Sequence, residues 1–190
     1  MPIHGTLLVV TSDHGEEFLE HGDVLHGRSQ FQELIRVPLL LRGPGLVAPQ
    51  RIATPVSLVD VAPTLLQLAG VDVPDSLDGK DLSAFWTGDG MSDRYLFGEA
   101  DHNNQENDMT RAVRHSRVKL HFNRLTKEYE LFDLTEDAGE HLDIASQKEE
   151  EASRLLAELR LFMAAEEVEA PTRLLSPEEI EKLRSLGCLQ

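Results

Sequence analysis

The sequence has 190 residues, 41% of them hydrophobic, enough for one ordinary domain core. Its 34 acidic residues against 18 basic ones give a formal charge of −16, which argues against nucleic acid and anionic membrane as partners. No run approaches the ~20 apolar residues of a membrane span, residues 1 to 10 lack the basic-then-apolar layout of a signal peptide, and a single cysteine, Cys188, excludes an internal disulfide.

Met1 to Gly5 is a short lead-in, and His4 reads as an exposed turn residue at the far end of the first strand. Leu7, Leu8, Val9 and Val10 then form an unbroken apolar run, the pattern of a central strand buried on both faces of a mostly parallel sheet. Ligands of open α/β sheets collect beyond the carboxyl ends of such strands, and Thr11, Ser12, Asp13 and His14 sit at that end. Gly15 lets the chain turn there. Asp13 offers carboxylate oxygen and His14 imidazole nitrogen, a mixed pair suited to a divalent cation. His21 and His26 are expected to return to the same pocket, because Gly22 and Gly27 loosen the intervening loop.

Phe31 to Ile35 reads as a helical turn, with Glu33 and Arg36 in structural ion pairs. Val37 to Leu41 is the second buried strand, opened by Pro38 and ended by the turn Gly43-Pro44-Gly45. Val56 to Gly70 gives the clearest helix: Asp60 as N-cap, Pro63 in the first turn, and Gly70 as the left-handed C-terminal cap. Asp60 has a catalytic reading too, as an acid, with capping the stronger one. Asp78 to Leu82 forms a turn, and Trp86 closes the main layer. Gly88 to Asp93, polar and glycine-containing, is the best internal boundary.

Beyond it, Tyr95–Gly98, Arg111–Arg114, Val118–Phe122 and Tyr129–Phe132 alternate with turn-prone segments and predict an antiparallel meander. His102, in the polar loop 101–108, reads as a solvated residue or a substrate contact, while His115, His121 and His141 read as structural. Glu149 to Ala165 is an amphipathic helix with Ala152, Leu155, Leu156, Leu159, Phe162 and Met163 on one stripe, expected to cover the small sheet. Val168 to Leu175 is a linker, and Ser176-Pro177-Glu178-Glu179 opens a short last helix ended by Gly187.

Three ordered blocks carry a resemblance: TSDHGEEFLEHG (11–22), HGRSQFQELIRVPLLLRGPG (26–45) and VSLVDVAPTLLQLAGVDVP (56–74), followed by YELFDLTEDAGE (129–140) and LSPEEIEKLRSLGCL (175–189). In these the chain resembles the sulfatase branch of the alkaline phosphatase superfamily, over the carboxyl-terminal portion of that family's length. The resemblance implies an α/β fold with residues 1–90 as part of the catalytic domain's mostly parallel sheet. It further implies an antiparallel sheet plus helix over 91–167, and a linker with terminal helix over 168–190.

It also implies roles. Asp13 becomes a metal ligand, and His14 a ligand or sulfate contact. His26 becomes a catalytic group touching the sulfate and the leaving oxygen. Independently of the resemblance, the −16 charge means that an anionic substrate has to be drawn in by a metal and local basic groups such as Arg28. The implied cofactor is a divalent metal, calcium in this family. The formylglycine nucleophile arises in a C-x-P-x-R or S-x-P-x-R motif that this sequence does not contain. The implied activity is hydrolysis of sulfate esters, with the nucleophile-bearing half supplied by pairing with another polypeptide; self-association is also open. The neighbouring readings are a phosphoester or phosphonate hydrolase of the same superfamily, and a non-catalytic remnant.

Overall fold

In the computed structural model, the described residues are 5–46, 49–87, 90–101 and 109–166, with isolated positions 176, 180 and 182. Residues 1–159 form one compact unit and residues 160–190 another.

The first half is built from short elements: β1 (Leu8–Thr11), β2 (Glu17–Phe18), β3 (Val24–Leu25), α1 (Gln32–Ile35) and β4 (Leu39–Arg42). β1 and β4 pair antiparallel, with Val10 opposite Leu40 and Leu8 opposite Arg42. The parallel ladder expected of these two strands is therefore not present between them, and neither is buried on both faces. Leu8, Val10 and Leu40, which share one face, are 46%, 49% and 58% exposed. An unbroken apolar run reports what a strand can bury against; the burial itself needs neighbouring layers on both sides.

β2 and β3 form a hairpin whose turn is closed by Leu19 N–H to Asp23 C=O at 2.9 Å. Gly15 N–H donates to Leu34 C=O at 2.7 Å, and a Cβ at Gly15 would overlap the Glu33 carbonyl. The start of the loop is thereby fixed to α1 at closest backbone approach.

A 3₁₀ turn over Leu58–Asp60 leads into α2 (Val61–Leu68), with Gly70 left-handed at φ +70° after the C-cap. The N-terminal cap differs from expectation. Ser57 is the capping residue, and Asp60 reaches back to the Ser57 N–H at 2.9 Å. The fully buried Asp60 carboxylate also accepts the Lys80 N–H at 2.9 Å and pairs with Arg94, so it staples three segments together. α3 (Ala84–Thr87) contains Trp86.

The second half follows the predicted meander. β5 (Leu96–Asp101), β6 (Met109–His115), β7 (Val118–Asn123) and β8 (Tyr129–Asp133) make a four-stranded antiparallel sheet in sequence order. Ser116, left-handed at φ +54°, turns the chain between β6 and β7, and the Asn123 side chain accepts the Leu125 and Thr126 N–H groups in the next turn. Val113, Leu120 and Leu131 share one face across three strands and are completely buried.

α4 (Glu149–Glu166) buries Ala152, Leu155, Leu156 and Leu159 at helical spacing, and Arg154 bonds the Tyr95 hydroxyl at 2.8 Å. The opposite face of the sheet receives the first half of the chain. Gly98 lacks the Cβ that would collide with the Gln30 amide, and Phe31 packs on His121 and Phe132 with ring centroids 4.6 and 6.2 Å away.

The loop 102–108, with His102, lies outside the described residues, as do His4, the whole of the expected linker and most of the last helix. Of the last helix, Ile180 N–H donates to Ser176 C=O at 3.0 Å, one helical turn. No helix among the described residues is long and apolar enough to cross a membrane.

Candidate functional site

Asp13 and His14 follow β1 directly, where the strand's pairing with β4 has ended. Asp13 is 87% exposed; its carboxyl is held below the ordinary value first by the His14 N–H donated to Oδ1 at 3.0 Å, so it is ionised. His14 Nδ1 lies 2.8 Å from the Gly15 carbonyl. With the proton on Nδ1 donated to that carbonyl, Nε2 carries the lone pair, and it faces Asp13 Oδ2 at 3.8 Å. A backbone carbonyl anchoring the remote ring nitrogen is the usual support of a metal-ligating histidine. A separation of 3.8 Å is within the span of two donors on one cation.

His26 comes back to this point. Its ring stacks on His14 with centroids 4.0 Å apart and planes 27° apart, and its Nδ1 lies 3.2 Å from Glu16 Oε1. Arg28 does not join the group: its guanidinium pairs with Asp23 at 3.1 Å. Asp13, His14 and His26 line a broad open trough of about 1470 Å³ that continues past Arg36, Leu40 and Ile52.

His21 was expected in the same pocket and is elsewhere. Its ring lies flat on Phe31 at 3.5 Å, Nδ1 contacts Glu33 Oε1 at 2.6 Å, and Nε2 contacts the Glu140 carbonyl at 3.2 Å. Glu17 joins from the other side: its Oε1 accepts the His21 N–H at 3.2 Å and the Asp23 N–H at 3.0 Å. Among the described residues, Glu17, His21 and Glu33 form a group whose potential ligand atoms lie within 4.8 Å of one another. Glu33 and His21 are paired with each other and Glu17 is committed to two backbone donors, so the group is satisfied as a hydrogen-bonded cluster. Burial pulls the His21 pKa down, but the Glu33 hydrogen bond and the Glu140 carbonyl outweigh it and leave the value raised.

The residue that sequence reasoning missed is Glu140. It sits in the turn region after β8 with left-handed backbone at φ +55°, and its side chain is fully buried. Lys119 Nζ lies 2.8 Å from its carboxylate and His121 Nε2 3.3 Å. Burial alone would raise Glu140, yet the close His121 ring and the Lys119 charge hold it below the usual glutamate value. Burial also pushes Lys119 down to about 8 and depresses His121. Only the alternation of β7 could have flagged this, since Lys119 falls at an inward position of a central strand.

This α/β arrangement, with an antiparallel four-stranded sheet and a long C-terminal helix, is similar to that of sulfatase carboxyl-terminal domains. Residues 20–169 match the family model described as N-sulphoglucosamine sulphohydrolase, C-terminal, and the chain belongs to that family. His26 and Arg28 fall inside the matched range, whereas Asp13 and His14 precede it.

Arylsulfatase K of Canis lupus familiaris is 40% identical over 80 residues, 42% of this chain and 15% of that protein. A solved structure of a 2-O GAG sulfatase superposes with TM-score 0.66 and 27% identity over 84% of this chain and 35% of its own. Phosphonate monoester hydrolase from Silicibacter pomeroyi superposes with TM-score 0.70 and 25% identity over 92% and 38%. The chain thus spans only a small part of its relatives' length. Sulfatase-type hydrolases are its kin.

Proposed function

We propose that this chain carries part of the cation and anion site of a sulfate ester hydrolase, with the nucleophile contributed by polypeptide outside this sequence. The observation that carries the reading is the Asp13–His14 pair at the end of β1, with Nδ1 of His14 anchored on Gly15 C=O and Nε2 turned to the carboxylate. A bound divalent cation, calcium in this reading, would polarise an ester oxygen and offset the anion's negative charge. Asp13 and His14 would hold it, and the remaining donors would come from outside this chain.

His26, stacked on His14 and in contact with Glu16, would be the group that assists the departing alkoxide, a reading supported by its nearness to His14. Arg28, as seen, is tied to Asp23, and it reaches an anion only by giving up that exposed pair, a change of about 0–1 kcal/mol. The exposed apolar face of the β1–β4 ribbon fits the same reading, as a surface for the polypeptide that completes the sheet. The likeness to a phosphonate monoester hydrolase supports a second substrate class, because the same donors suit either tetrahedral anion.

The test pairs calorimetry with turnover. Calcium is titrated into the 190-residue chain, into D13N and into H14A; an aryl sulfate and an aryl phosphonate monoester are assayed alone and with a polypeptide carrying the C-x-P-x-R or S-x-P-x-R motif. Calcium binding lost in D13N, and sulfate turnover only in the reconstituted mixture, is the expected result. Turnover by the isolated chain, or equal calcium binding by all three proteins, would overturn the assignment.

A further inference from the structure

The loop from Asp13 to Arg28 is closed on α1 and then on the antiparallel sheet by buried polar contacts that the proposed chemistry does not use. Glu140 accepts the Gln32 N–H on its second carboxylate oxygen at 2.6 Å, across 108 positions of sequence. Its backbone carbonyl faces His21 Nε2 at 3.2 Å. Lys119, held by the first carboxylate oxygen at 2.8 Å, donates also to the Gln30 carbonyl. One residue therefore touches the hairpin within the loop through His21, and the loop's exit through Gln32 directly and through Gln30 by way of Lys119.

We propose that Glu140 is a positioning residue, a latch that clamps residues 15–33 as one unit to the face of β7 and so sets where His14 and His26 meet. The cost of its construction supports a dedicated role. Glu140 adopts a left-handed backbone that non-glycine residues rarely use. Two fully buried charges are kept where apolar side chains of similar volume would pack at equal or better stability. An unpaired carboxylate would be far costlier, so the latch holds only with every partner seated: Lys119 and His121 from β7, Gln32 from α1, and His21 with its partners Glu17 and Glu33. The Glu140 backbone is itself pinned, its N–H bonding Asp137 C=O at 3.2 Å while Leu142 N–H bonds Asp137 Oδ2 at 2.8 Å. The claim concerns the loop's conformation and is independent of what the loop binds.

The test is amide hydrogen exchange of the full chain, with nuclear magnetic resonance of the His14 and His26 side chains. In the wild type, Gly15, His21 and Gln32 amides are expected to show one common protection factor, the observed rate divided into each amide's intrinsic rate, the signature of a single cooperative opening. Protection factors for the three that differ by more than tenfold would overturn the latch without any variant. In E140Q, exchange across 15–33 should rise about 10- to 100-fold, as expected for losing a charge-assisted bond. β6 and β7 amides should keep their protection, and the mutual ring shifts of His14 and His26 should collapse. Unchanged exchange across 15–33, or a rise matched throughout β6 and β7, would make Glu140 an ordinary core residue.

Discussion

Substituting Asp60 separates a structural staple from a catalytic acid. The carboxylate is completely buried and serves three donors: Ser57 N–H and Lys80 N–H, each at 2.9 Å, and the Arg94 guanidinium. D60A removes all three bonds. Each part-buried N–H left without its acceptor costs up to about 1–3 kcal/mol, and breaking an ion pair whose carboxylate is buried costs up to about 3–5 kcal/mol. Because the three partners share one acceptor these figures overlap, and about 4 kcal/mol is expected for D60A.

D60N keeps the shape and one carbonyl acceptor, but turns an NH₂ toward a donor and loses the charge facing Arg94. About 2–3 kcal/mol is expected there. Urea unfolding followed by far-ultraviolet circular dichroism reads both values as shifts in midpoint at constant slope. Against a total stability of about 5–15 kcal/mol, D60A should be visibly marginal at room temperature. A loss below about 1 kcal/mol in D60A, or a D60N protein as stable as wild type, would refute the staple and return Asp60 to the list of chemical groups.

Two further outcomes follow from named contacts. The raised His21 pKa means that its contribution to stability is full below the unfolded value of 6.5 and is lost as pH rises through the higher folded value. Midpoint urea concentration should therefore fall across that window; E33Q should flatten the fall, and a His21 ring titrating below 6.5 would contradict the sign. In α4, L155A removes a side chain with no exposed surface and should cost about 2–5 kcal/mol, whereas L161A, on a residue 67% exposed, should stay within about 0.5 kcal/mol. Equal losses in the two would mean that the buried stripe is misassigned.

The antiparallel sheet was legible because its rules are local. Val118-Lys119-Leu120-His121-Phe122 alternates, turn residues bound each strand, and the register follows from hairpin geometry. That Asp13 and His14 lie just past the end of β1 was legible for a related reason: an apolar run that gives way to polar side chains marks a strand terminus. His21 was not. Spacing alone placed it near His14, but the β2–β3 hairpin carries its ring onto Phe31 and Glu33. Glu140 was illegible for a stronger reason, since its partners Gln32 and Lys119 are set by the packing of distant segments and its own neighbours read as a turn. Asp60 fell between these cases: helix-start chemistry was correct for the segment, yet Ser57 is the cap and the aspartate's further partners lie 20 and 34 positions away.

The two halves of the residue 5–159 region differ in how far they satisfy themselves, and the difference bears on the site. The meander and α4 bury Val113, Leu120, Leu131, Leu155 and Leu159 with no exposed surface. The β1–β4 ribbon, which delivers Asp13, leaves Leu8, Val10 and Leu40 half in water, and a two-stranded ribbon is marginal alone. The candidate ligands therefore sit on the least self-supporting element, and their loop is fixed chiefly from the other side, through Gly15 to α1 and through Glu140 to β7. A site held from one side by buried charge and left open on the other suits a pocket completed by further polypeptide. Under the proposed function, a polypeptide covering the ribbon would put the exposed carboxylate of Asp13 in a lower dielectric, where its attraction to a cation is strongest.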